Sequence, residues 1–187
     1  MGLLVVISSP SGGGKDSVIN ELLKQIPNSA RLITTTSREP RPGNQNGVDY
    51  FFVSQEDFAN KIKNNEMVEY NNYVGNYYGV EKAKLKEALS NNDVVFTQIE
   101  VNGKHSLDKL GIKHLAIFLL PDSLEILADR IRRRKGISEE KIKERLETAK
   151  QEIEKSTDYE YRLVNKDGSF AETVAKISEI IQTKLTK

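Results

Sequence analysis

The sequence predicts an α/β fold: a parallel sheet flanked by helices, with a small, mostly β insertion and a helical lid. Three observations carry this. Short apolar runs recur at 3–7, 93–99, 114–120 and 161–164, with helical patterns between them. Strands that alternate with helices form parallel sheets covered on both faces, so such strands read as continuous apolar runs. The first run leads into a glycine-rich loop and then a helix. Residues 34–79 interrupt the alternation with Pro40, Pro42, Gly43, Gly47, Gly75 and Gly79.

The run at 3–7 is the first core strand. It is followed by Ser9-Pro10-Ser11-Gly12-Gly13-Gly14-Lys15-Asp16-Ser17, and then by Val18, Ile19, Leu22, Leu23 and Ile26 at helical spacing. Strand, glycine loop, lysine and helix is the layout of a P-loop, so the sheet is read as a P-loop parallel sheet. Glycines let backbone N–H groups turn toward one anion. The helix N-terminus adds partial positive charge, and Lys15 adds a full one. The phosphates of a nucleotide suit that geometry. Two positions depart from the pattern. Ser9 stands for Gly, and Asp16 for the Ser or Thr whose hydroxyl holds Mg2+. Ser9 is harmless wherever its φ is negative. A carboxylate at position 16 can also hold Mg2+, but it repels bare phosphate.

Within 34–79, β pieces are expected at 50–53 and 67–70. Ser54-Gln55-Glu56-Asp57 starts a short helix, with Asp57 placed for a capping box. A second core helix is expected over 80–89, and a third after Pro121-Asp122-Ser123, capped by Asp122 or Ser123. The arginine-rich run 130–135 leads to Gly136, an expected break between two helices in a mobile lid. The helix after Ser138 carries Glu139 and Glu140 in its first turn, favourable to the helix dipole. Its mixed charges read as a solvated face. The last helix begins near Ser169 and aligns Val174, Ile177, Ile180, Ile181 and Leu185. The expected organisation is a core of 1–33, 80–124 and 145–187, an insertion of 34–79 and a lid of 125–144.

The 187 residues carry a formal net charge of +1, which gives no basic field of the kind that draws nucleic acid. Without cysteine there is neither a disulfide framework nor a thiolate zinc site. The apolar start is too short to span a membrane and reads as a core strand rather than a signal peptide. A cytoplasmic protein with no membrane or nucleic-acid partner is expected; the oligomeric state is left open. His105 and His114 stand apart, His114 as a core-edge residue. Asp93 reads as a turn residue and Asp129 as the partner of a neighbouring arginine.

The insertion concentrates phosphate- and base-binding chemistry. Thr34-Thr35-Thr36-Ser37-Arg38-Glu39-Pro40-Arg41-Pro42-Gly43 places Arg38 and Arg41 in a stretch stiffened by prolines, and arginine forks suit phosphate oxygens. Asp49-Tyr50-Phe51-Phe52 and Gly75-Asn76-Tyr77-Tyr78-Gly79 add tyrosines, whose hydroxyls donate to phosphate and whose rings border a base. Glu69 lies between these aromatics. A carboxylate there accepts from the N1–H and exocyclic N–H2 of guanine, a two-donor edge that adenine lacks. Singly, each of these residues has a bland explanation in a solvated loop or an edge strand. Together, beside a P-loop, they point to a nucleotide acceptor.

On these blocks, with Asn46-Gly47-Val48-Asp49 and Val164-Asn165, the chain resembles the guanylate kinase family over nearly its whole length. The resemblance implies phosphoryl transfer from ATP to GMP with Mg2+, on a core, a nucleotide-monophosphate-binding insertion and a lid that closes over ATP. It implies that Ser11, Gly12, Gly13, Gly14, Lys15, Asp16, Ser17, Arg130 and Asn165 bind ATP. Arg38, Arg41, Tyr50 and Tyr78 would hold the GMP phosphate. Glu69, supported by Thr34, would read guanine, and Glu100 belongs to the same acceptor site. Lys15, Arg38, Arg134 and Arg145 would serve the transition state, and Asp16 and Gln98 (through water) the metal.

Several positions depart from the family. Asn44 stands where Glu is usual near the acceptor phosphate, and Val80 where a hydroxyl helps read guanine. Gln98-Ile99-Glu100 stands for Asp-x-Asp. Each lost hydrogen bond to base or metal costs roughly 1–3 kcal/mol. Lys15-Asp16-Ser17, Tyr77-Tyr78-Gly79-Val80, Asn102-Gly103 and Asp167-Gly168-Ser169 are also similar to ribose 1,5-bisphosphate phosphokinases. A third alternative is a non-catalytic guanylate-kinase-like binding domain. The retained Lys15, Arg38, Arg41, Arg130 and Arg134 speak against that domain, and Glu69 with the Asp49-Tyr50 block favours the purine monophosphate.

Overall fold

The computed structural model describes residues 1–73, 75–133 and 138–186. In chain order the elements are β1 (Leu3–Ser8), α1 (Lys15–Gln25), β2 (Ser29–Arg31), β3 (Thr35–Thr36), β4 (Phe51–Phe52), α2 (Gln55–Lys63), β5 (Met67–Tyr73) and β6 (Asn76–Glu81). There follow α3 (Lys82–Asn91), β7 (Val94–Thr97), α4 (Val101–Lys109), β8 (Leu115–Leu120), α5 (Leu124–Arg132), α6 (Glu139–Lys155), β9 (Tyr161–Val164) and α7 (Phe170–Leu185).

The main sheet has the order β2-β7-β1-β8-β9, with every pairing parallel. The alternation of side chains along β1 explains why the run is apolar throughout. Val5 and Ile7 pack with Val18, Ile19 and Leu22 of α1 and Val174, Ile177 and Ile181 of α7. Leu4 and Val6 face the other way, onto Leu85 and Leu89 of α3 and Leu107 of α4. Both faces are covered, and each fully buried aliphatic side chain contributes about 1.5–3 kcal/mol. The C-terminal ends of β1 and β7 point at the loops that carry polar residues, the usual place for ligands in an open parallel sheet.

The insertion forms a second sheet, ordered β4-β3-β6-β5, with β3 antiparallel to β6 and parallel to β4. It is anchored to the core by Val68 and Val80, which enter the same cluster as Leu4 and Val6. A polar tie also holds it. Buried Thr35 donates to Glu81 at 2.5 Å, and Lys61 of α2 donates to the other Glu81 oxygen at 2.8 Å. Burial alone would raise the Glu81 pKa, but these hydrogen bonds hold it below the usual carboxylate range.

The expected core strands and helices form, with shifted ends. Val80 and Glu81 finish β6, so the second core helix starts at Lys82 rather than 80. Ser123, not Asp122, caps α5, accepting from Ile126 N–H; Asp122 instead accepts from the Asp167 N–H. Ser54 caps α2 and Ser138 caps α6. Asp129 accepts from Arg132, and His114 is nearly buried at the foot of β8, with Nδ1 2.8 Å from the Ile112 carbonyl. The expected break at Gly136 lies outside the described residues. Four elements, β2, β3, β6 and α4, lie outside the sequence-based expectation. The helix α4 buries Val101, Gly103, Lys104 and Leu107, of which only two are large apolar residues.

Candidate active site

The P-loop closes as its glycines require. Gly12 and Gly14 both sit at φ +90°, and Gly14 precedes the first turn of α1. Gly13 has no room for a side chain, since a Cβ would meet Ser9 at 2.7 Å. Ser9 itself is untroubled: among the described residues only Asn28 and Asn65 are non-glycines with positive φ. Among the described residues Lys15 Nζ reaches only the Ser9 carbonyl, at 3.5 Å, a weak contact. Asp16 turns outward, 63% exposed, and accepts from Arg31 at 3.1 Å.

Distant residues clamp the loop. Asn165, after β9, donates from Nδ2 to the Gly13 carbonyl at 3.0 Å. Arg130 of α5 reaches Asp167 at 3.0 Å and the Asn165 carbonyl at 3.4 Å. Arg145 of α6 lies 3.4 Å from the Ser11 hydroxyl. The structure therefore brings Arg130, Arg145 and Asn165 to the loop that holds Lys15. Arg134 lies outside the described residues.

The acceptor side is a cleft of about 510 Å³ between the two sheets, lined by Thr34, Tyr50, Glu69, Tyr78, Gln98 and Glu100, among others. Arg38 approaches it over the rings of Tyr50 and Phe52, 5.6 and 5.9 Å from their centroids. Tyr50 meets Tyr78 edge-on at 6.0 Å. The departure at Asn44 has a local role: its Oδ1 accepts from Arg38 Nη2 at 3.1 Å and from the Arg41 N–H at 3.0 Å. One side chain thus joins the two arginines. The Arg41 side chain stays exposed.

Glu69 receives no hydrogen bond among the described residues. Burial pushes its carboxyl up to about 7, and the nearby Glu100 charge adds to the shift. Gly103 of α4 leaves it room, since a Cβ there would stand 3.3 Å from its Oε2. Val80, opposite Glu69 in the β5–β6 ladder, points into the core at 3% exposure, so no polar atom replaces the missing hydroxyl from that position. At the end of β7, Thr97 Oγ1 and Gln98 Oε1 are buried oxygens without a hydrogen-bond partner among the described residues.

Two site residues escape sequence reasoning. Arg31 lines the cleft from a strand of three residues. Glu152 of α6 is pushed up to about 7 by burial and the Glu100 charge, with Lys15 and Lys155 opposing. It follows Arg145 and buried Ala149 at helical spacing; Arg145 reaches Ser11 of the P-loop, and Ala149 packs against Leu127 and Ile131 of α5. That spacing was the available signal.

A parallel α/β sheet with a lysine-bearing phosphate loop, facing a cleft on a separate β layer, defines a P-loop phosphotransferase of the nucleoside monophosphate kinase class. The comparisons with known proteins agree. The family model described as Guanylate kinase matches residues 1–184. The guanylate kinase of Rickettsia prowazekii is 40% identical over 187 residues, covering 100% of this chain and 93% of that protein. That of Listeria monocytogenes is 42% identical, covering 100% and 90%. The crystal structure of guanylate kinase from Anaplasma phagocytophilum superposes with a TM-score of 0.74 at 31% identity, covering 100% of this chain and 87% of that one. The chain belongs to the guanylate kinase family.

Proposed function

We propose that the chain transfers the γ-phosphoryl group of ATP to GMP or dGMP, giving ADP and GDP or dGDP, with ATP on the 11–17 loop and the acceptor in the cleft between the sheets. Glu69 carries the assignment: a half-buried carboxyl with no donor among the described residues, in a cleft that it shares with Tyr50 and Tyr78. The paired donors of guanine match it, and adenine has no N1–H to offer.

The residues divide the work by charge. Ser11, Gly12, Gly13, Gly14, Lys15 and Ser17 cradle the donor phosphates. Arg38 and Arg41, with Tyr50 and Tyr78, hold the acceptor phosphate in line, and Thr34 and Glu100 complete its cleft. The segment 125–144 acts as a lid over ATP. Its closure brings Arg130 and Arg134 to the transferring group beside Arg145 and keeps out water that would hydrolyse ATP. No general base is required, because the attacking atom is already a phosphate oxygen. The unpartnered oxygens of Thr97 and Gln98 are hard donors that fit Mg2+, with Gln98 acting through water; the Asp16 carboxylate, turned outward onto Arg31, is not counted among them. Mg2+ bound with ATP would supply neutralisation of phosphate charge. A cytoplasmic setting, where both nucleotides are present, goes with this reading, without membrane or nucleic-acid partners.

The test is ADP release from ATP and Mg2+ with GMP, dGMP, AMP, UMP and ribose 1,5-bisphosphate as acceptors. Turnover confined to guanine nucleotides is expected. Turnover with the sugar bisphosphate alone would overturn the role given to Glu69, and no turnover with any acceptor would make the chain a binding domain.

A further inference from the structure

The P-loop position after the lysine ordinarily offers a small hydroxyl. Here it carries a carboxylate, which would repel the phosphates that the loop gathers. The structure shows what becomes of that charge. Asp16 and Asn20 lie one turn apart on α1, so both face the edge strand β2. Arg31 of β2 spans them, Nη1 donating to Asp16 Oδ1 at 3.1 Å and Nη2 to Asn20 Oδ1 at 3.0 Å. Its side chain is 24% exposed against 63% for Asp16, so the fork is the better-packed partner. Two arms of one guanidinium, each on a separate acceptor of the same helix face, fix the direction of Asp16 more firmly than a single ion pair does.

We propose that Arg31 is a positioning residue for the donor nucleotide. It holds the Asp16 carboxylate to the β2 side of α1 and neutralises it, so that the loop accepts ATP phosphates despite an acid next to Lys15. This rests on the assignment of the 11–17 loop to ATP. A surface ion pair without such a role would leave nucleotide binding unchanged. A guanidinium acting only as a distant cation would act whatever stood at position 16.

The experiment is calorimetric titration of the full chain with ATP, in EDTA and in excess Mg2+, for the wild type, Arg31→Met, Arg31→Lys, Asp16→Ser and the Arg31→Met/Asp16→Ser pair. Arg31→Met is expected to weaken binding in EDTA about threefold to tenfold more than in Mg2+, because the metal offsets the freed carboxylate. Arg31→Lys recovers part of the loss. With Ser at position 16, Arg31→Met leaves the ratio of the two affinities unchanged. An unchanged ratio in Arg31→Met alone, or the same change in both backgrounds, overturns the proposal. Lys15→Ala separates the two levels of inference. If wild-type ATP affinity is indifferent to that substitution, the ATP assignment itself is wrong.

Discussion

In the proposed function Glu69 reads guanine only as a carboxylate, yet burial and Glu100 favour its protonated form. With its pKa raised from the ordinary 4.5 to about 7, the folded enzyme binds the proton more tightly than the unfolded chain, so stability from this group is full below 4.5 and is lost as pH rises to about 7. Activity runs the other way. The kcat/KM for GMP is expected to rise through a step near pH 7, and Glu100→Gln should move that step to lower pH by removing the neighbouring charge. A pH–rate profile checks this; an unmoved step in Glu100→Gln would mean another group is titrating. Arg38→Ala should raise the KM for GMP and lower kcat, at least tenfold in kcat/KM, because Arg38 is stacked over Tyr50 and tied to Asn44 rather than free in a loop. Steady-state kinetics with GMP varied would reveal it. Near-wild-type values would remove Arg38 from the site.

At the level of the element, the decisive constraint is backbone approach. Gly79 in β6 has the Glu69 carbonyl 2.5 Å from where a Cβ would stand, with Met67 Cε at 2.8 Å. Gly79→Ala is therefore expected to cost about 2–4 kcal/mol, read by urea unfolding, and to displace Glu69 with it. Gly14→Ala combines φ +90° with a Cβ 2.7 Å from Asn165 Nδ2, and should raise the KM for ATP at least tenfold while sparing GMP affinity. Sequence reasoning succeeded where the signal is local. The P-loop announces itself through glycines, a lysine and the strand before it. Tyr50, Glu69 and Tyr78 stand out by residue type and line one cleft, and Arg38 stands out likewise and lies over the Tyr50 ring. It failed where partners are remote or elements short. In α4, Lys104 is 5% exposed and paired with Asp108 and with Asp158, 54 residues away; a lysine facing inward breaks the apolar pattern by which a core helix is recognised. The strands β2 and β3 have three and two residues, too few to show a period. Arg31 and Asn44 act through partners whose positions only the fold supplies.

Across the whole molecule, the first core strand is wired to the far end of the chain. The Tyr159 hydroxyl donates to Ser8 at 2.8 Å, and Ser8 donates to the Ile99 carbonyl at 2.6 Å, all in the interior. Tyr159→Phe strands the Ser8 oxygen and should cost about 1–2 kcal/mol in urea unfolding. Unchanged stability would mean that Ser8 finds another donor. The same reach governs the loop itself. Ser11 meets Arg145 across 134 positions and Gly13 meets Asn165 across 152. During synthesis, residues 9–15 emerge long before the residues that clamp them. A nascent chain therefore carries a phosphate loop that is written before its clamps exist. The clamp would close late, and a fragment arrested before Asn165 would carry the glycines of the loop without the side chain that holds the Gly13 carbonyl.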